Sequence, residues 1–283
     1  MDAYPEAGGR SSGSICARTG WRSWPLKCKR VVVVENRTFG FPADIHGPLS
    51  LFRNDAPLKA HAAYVAAKAG DAAAAVQLVM DLAEPLGEQV KALIPSDVIF
   101  VAPHAKEASG DNAMPQVLAR ALAQSVGAEA DRDIVQRTRV FHTGADPMER
   151  LNNRARFDGP VWPGMGYVLV DDVMTMGGTL AELAHYIQSG GGAVTGLVVL
   201  VNAARSGRLT PARRVTATLE RRHGDAIREI SQIDPAALTA EEAQYLIGFR
   251  TADEIRNRSL AARQETGRRL RAKAVDRLGG EAG

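Results

Sequence analysis

Cysteine is nearly absent: the 283-residue chain has only Cys16 and Cys28. Both lie in an irregular N-terminal stretch, match no zinc-ligand spacing and make no disulfide framework. A reducing cytoplasm is the expected compartment. No apolar run approaches the ~20 residues of a membrane-spanning helix, so no membrane partner is expected. The opening residues lack the apolar core of a secretory signal, and no repeat of solenoid period occurs. Neither sign of charge dominates: 35 Lys and Arg against 32 Asp and Glu leave a net +3. That mild excess suits anionic small ligands and is too weak to identify a nucleic-acid binder. An apolar fraction of 45% permits an ordinary core, in one large domain or a core with appendages.

What is present centres on residues 166–183, GYVLVDDVMTMGGTLAEL. Tyr167 to Val170 read as a buried parallel strand ending in two carboxylates, Asp171 and Asp172. A small-residue loop follows: Thr175, Met176, Gly177, Gly178 and Thr179. A helix then starts, with Thr179 and Glu182 at capping-box spacing. A glycine-containing turn entering a helix gathers unpaired N–H groups on one point, where the helix dipole favours an anion, phosphate above all. The two glycines let that anion approach the backbone. The carboxylates suit a sugar diol, at roughly 1.5–3 kcal/mol per charged hydrogen bond. No Lys follows the glycines, which excludes a P-loop. G-x-G-x-x-G is absent, which excludes a dinucleotide fingerprint.

The run from Val168 to Thr179 resembles the phosphoribosyl pyrophosphate (PRPP) motif of type I phosphoribosyltransferases. The resemblance implies that Asp171 and Asp172 hold the ribose hydroxyls and act in catalysis, and that Thr175 to Thr179 wrap the 5′-phosphate. It implies Mg²⁺ carried with PRPP, with no metal ligand assigned to the protein itself. Met176 stands where many family members have Thr, so one hydroxyl donor is lost. Thr175 stands where relatives acting on 6-oxopurines have a catalytic Asp, which argues against that substrate class.

The rest of the chain is read around this motif. Residues 1–40 read as a disordered tail, apart from a short strand at 31–34. Residues 41–95 read as a helical hood or buttress, with helices over 58–68 and 72–93 after a mixed loop at 48–55. A strand over 97–103 feeds a loop and then a helix over 113–126. By resemblance, His104, Ala105 and Lys106 in that loop are candidates for the pyrophosphate. Residues 134–142 alternate like a half-exposed strand. By loose likeness to the ComF-like subgroup, the span between the 113–126 helix and the motif carries basic residues and a mobile flap, with Arg137, Arg139, Arg150 and Arg154 as candidate anion contacts. Residues 193–201 form a further buried strand, with Asn202 at its end, and 215–219 a last one. Beyond it, Thr239 with Glu242 and Thr251 with Glu254 mark two helix starts around Gly248. The final helix, 252–277, is rich in Arg and reads as a solvated face, with nucleic acid as the minority partner.

The expected fold is α/β: a parallel sheet flanked by helices, type I phosphoribosyltransferase-like, with an N-terminal helical pair and a C-terminal helical extension. Its expected divisions are 1–40, 41–95, 96–220 and 221–283. The expected activity is transfer of the 5-phosphoribosyl group from PRPP to a nitrogenous acceptor, releasing pyrophosphate. The alternative is a PRPP-binding regulator, or a ComF-like accessory protein in DNA handling, without turnover. The acceptor is unidentified, and a homodimer is plausible.

Overall fold

The structure is a computed structural model that describes residues 28–30, 35–104, 112–138 and 146–280. The strands are β1 (Lys29–Arg30), β2 (His46–Phe52), β3 (Val98–Val101), β4 (Glu129–Ala130), β5 (Val135–Gln136), β6 (Phe157–Asp158), β7 (Pro160–Val161), β8 (Gly166–Met174) and β9 (Ala193–Asn202). The helices are α1 (Ala56–Ala60), α2 (Tyr64–Lys68), α3 (Ala72–Leu82), α4 (Glu84–Leu93), α5 (Met114–Val126), α6 (Pro147–Asn152), α7 (Gly178–Ser189), α8 (Arg213–Ser231), α9 (Ala240–Leu246) and α10 (Ala252–Gly280).

Five strands form one parallel sheet in the order β2-β9-β8-β3-β4. Alternation along β8 serves two cores. Val168 and Val170 pack with Leu78, Leu86, Leu118 and Leu122 of α3, α4 and α5. Tyr167 and Leu169 pack with Leu180, Leu183 and Ile187 of α7. Both faces are therefore covered, which is why β8 and β9 read as continuous apolar runs. Each fully buried aliphatic contributes roughly 1.5–3 kcal/mol. A third core joins α6 and α8 to α10 through Met148, Leu151, Leu219, Ile227, Leu246 and Ile255.

Several expectations are corrected. The loop expected from residue 48 is the edge strand β2, with Leu49 opposite Val198 and Phe52 opposite Val201. Its Gly-Pro start disguised it, yet proline is tolerated on an edge strand. The N-terminal helical pair is four helices. His61 turns extended and its ring accepts from the Ala63 N–H, while Pro85 opens α4 and cannot continue α3. Residues 215–219 are helical: Leu219, His223, Ala226 and Ile227 share the buried face of α8. Only Val135–Gln136 of the strand expected over 134–142 is extended among the described residues. The residues expected to form a short strand at 31–34 lie outside them. Arg37, in the stretch expected to be a tail, is fully buried. Cys28 is disulfide-bonded, which the sequence reading did not expect.

Among the described residues no helix is long and apolar enough to cross a membrane.

Candidate functional site

From β3 the chain passes through α5 outward to β4, and from β8 through α7 the other way to β9. The strand order thus reverses between β3 and β8, and ligands of open α/β sheets gather at the carboxyl ends of strands beside such a reversal. His104 follows β3 there, and the acidic pair and small-residue loop sit at the end of β8.

The strand does not stop at the carboxylates: β8 runs through Asp171 and Asp172 to Met174, paired along β9 up to Asn202. Asp172 is buried, and its Oδ2 accepts from Lys68 Nζ at 2.9 Å and from Asn112 Nδ2 at 2.8 Å. Burial works against the Lys68 charge, but Asp172 more than offsets it and holds that ammonium above its ordinary value. Asp171 accepts the Asp172 N–H at 2.9 Å. Burial, and then the neighbouring Asp172 charge, push Asp171 well above the usual carboxylate range. The two acids are unlike: one is fixed and compensated, the other short of positive charge.

The loop turns on Gly177, whose left-handed backbone (φ 73°) is the N-cap of α7. The expected capping box with Thr179 does not form, because the helix starts earlier and Glu182 is engaged elsewhere. Its Oε1 accepts from Arg154 Nε at 2.6 Å and Arg37 Nη1 at 3.1 Å. Gly178 has a packing reason: a Cβ there would lie 3.0 Å from Glu242 Oε1. Met176 offers no hydroxyl, and its carbonyl accepts from Thr239 Oγ1 at 2.7 Å. Thr239 also closes a capping box with Glu242 at the start of α9. The loop is therefore buttressed by the C-terminal helices.

The remaining candidates separate. Arg150 reaches the loop, with Nη1 2.5 Å from Thr175 Oγ1, and burial pulls its guanidinium below the ordinary value. Arg154 does not: its side chain is 6% exposed and held by Glu182 and the Ser231 and Gln232 carbonyls. Arg137 is exposed, 3.9 Å from Asp158. His104 is tethered, with Nδ1 2.7 Å from Gln116 Nε2 and its carbonyl accepting from the Gln136 N–H. Ala105, Lys106 and Arg139 lie outside the described residues. Lys68 and Thr239 were missed by sequence reasoning. Their partners lie 104 and 63 positions away, beyond any local pattern. No group of three or more metal-ligating side chains occurs among the described residues.

The observed fold is the expected one in class: a parallel sheet flanked by helices. Residues 116–234 match the family model described as phosphoribosyl transferase domain. It is 39% identical over 222 residues to "Protein TraN" of Escherichia coli, across 76% of this chain and 48% of that protein. It is 37% identical over 129 residues to an uncharacterized protein of Haemophilus influenzae, across 45% of this chain and 29% of that protein. The chain thus spans less than half of each relative. Among solved structures, it is similar to the adenine phosphoribosyltransferase of Leishmania tarentolae at 13% identity and TM-score 0.32, over 57% of this chain and 94% of that one. It is similar to a hypoxanthine phosphoribosyltransferase of Staphylococcus aureus at 12% identity and TM-score 0.30, over 45% and 64%.

Proposed function

We propose that the loop from Thr175 to Thr179 binds the 5′-phosphate of PRPP and that the chain transfers the phosphoribosyl group to a nitrogenous base, releasing pyrophosphate. The observation that carries this reading is the acidic pair and left-handed glycine turn, set together at the carboxyl end of a central strand where the strand order reverses. The α7 N-terminus supplies backbone donors and positive potential. Asp171 is the acid with most to gain from a ribose hydroxyl, because donated hydrogen bonds would relieve its buried charge. Arg150 is poised beside Thr175 to add a guanidinium to the phosphate. Lys68, beside Asp172, would meet the leaving pyrophosphate. Positive charge developing on the sugar ring would be stabilised by the carboxylates below it.

The donor set fits magnesium carried by the ligand: two adjacent carboxylates, with no cluster of three among the described residues, suit an ion held mainly by pyrophosphate oxygens and water. Bound in that way, magnesium supplies charge neutralisation of the leaving group. Pyrophosphate release from PRPP, screened across purine and pyrimidine bases, tests the reaction. Release with one base supports transfer, and none with any base sinks it.

One observation favours a second reading. Asp172 is already engaged by Lys68 and Asn112, as suits a PRPP-binding regulator or ComF-like accessory protein that does not turn over. Tight PRPP binding without pyrophosphate release is its signature.

A further inference from the structure

A second concavity shares no lining residue with the motif loop. Its volume is ≈ 410 Å³, within the range of small-molecule sites. Residues 152–156, the end of α8 and the middle of α10 enclose it. Three arginines line it, Arg154, Arg156 and Arg263, against one carboxylate, Glu229, which pairs with Arg256 at 3.0 Å.

The guanidiniums are held from behind. Arg154 forms the floor, fixed by both oxygens of Glu182 and by the end of α8. Arg156 donates to the Glu35 carbonyl at 2.5 Å and to Gln232 Oε1 at 2.8 Å. Arg263 donates to the Ile230 carbonyl at 3.3 Å and makes no ion pair among the described residues. Burial, and then the Arg154 charge, pull Arg156 below its ordinary value. Gln232, which receives both Arg154 and Arg156, has the one positive φ (54°) of a non-glycine among the described residues. That left-handed backbone is the C-cap that ends α8.

We propose that this cleft binds a small phosphorylated molecule. A phosphate dianion meets Arg156 and Arg263, whose planar forks take its oxygens in pairs, and the polar remainder lies against Asn152, Asn153 and Thr138. The site goes beyond the transfer reaction and stands whether or not that reaction occurs.

Thermal unfolding with inorganic phosphate, at ionic strength fixed with chloride, tests it on wild type, Arg263→Glu and Thr179→Glu. Arg263 is exposed on α10, so its replacement leaves the core intact. Thr179→Glu sets a carboxylate at the motif loop and repels phosphate there. At hundredfold excess over Kd, phosphate should raise Tm by about 5 °C or more in wild type and Thr179→Glu. Arg263→Glu should lose most of that rise. No rise in wild type, an undiminished rise in Arg263→Glu, or a rise abolished by Thr179→Glu overturns the proposal.

Discussion

At the residue scale the site turns on the difference between its two acids. Asp172 is compensated by Lys68, whereas Asp171 is pushed well above the carboxylate range by burial and by its neighbour. The sign of the linkage is fixed by that direction. Above the ordinary carboxylate pKa and up to the raised one, the native state binds more protons than the unfolded chain, so stability falls as pH rises. Asp171→Asn removes the penalty. The variant should be more stable than wild type at pH 8, by about 2–4 °C in Tm for each kcal/mol relieved, and the gain should vanish near pH 4. Melting curves across that interval check this. A variant less stable than wild type at pH 8 would mean that Asp171 is not the strained partner. Greater stability bought with weaker ligand binding is the usual mark of a binding residue.

At the element scale, the loop between β8 and α7 is shaped from below by α9. Thr239 holds the Met176 carbonyl and caps α9 at once. Thr239→Ala should cost about 1–2 kcal/mol in urea unfolding, the loss of a good N-cap, and should also weaken PRPP binding. Lost stability with unchanged affinity would show that the buttress does not set the loop. The loop itself was legible in the sequence, because strand, acidic pair, glycines and helix follow one another locally and each leaves a local pattern. The same locality misled elsewhere. Thr179 and Glu182 have capping-box spacing, but Glu182 is drawn away by Arg37 and Arg154 from distant segments. Residues 215–219 have strand composition, and the buried stripe that makes them helical runs on to Ile227. β2 looked like a loop because its partner, β9, lies 150 residues further on.

At the scale of the whole molecule, Arg37 joins the N-terminal segment to the α/β core and the C-terminal helices. It is fully buried between Glu182 of α7 and Glu242 of α9. Burial opposes its charge, and the two carboxylates more than offset that. Glu182 is in turn held below the usual carboxylate range: burial opposes its charge, and Arg37 and Arg154 prevail. Arg37→Met leaves Glu242 buried without its cation, while Glu182 keeps Arg154, and should destabilise by about 3–5 kcal/mol. Adding Glu182→Gln and Glu242→Gln should recover part of that loss. A single variant within ~1 kcal/mol of wild type in denaturant unfolding would contradict the tie. No sequence pattern marks this network, since its members are 145 and 205 positions apart.

The central claim is that Asp171, Asp172 and the loop after them bind PRPP. Calorimetric titration of magnesium and PRPP into wild type and the Asp171→Asn/Asp172→Asn variant tests it most directly. Saturable binding by wild type, weakened tenfold or more in the folded variant, is the predicted result, since one charged hydrogen bond of ~1.5 kcal/mol already exceeds a decade in Kd. Equal affinity in the two proteins, or no binding by folded wild type, would contradict it.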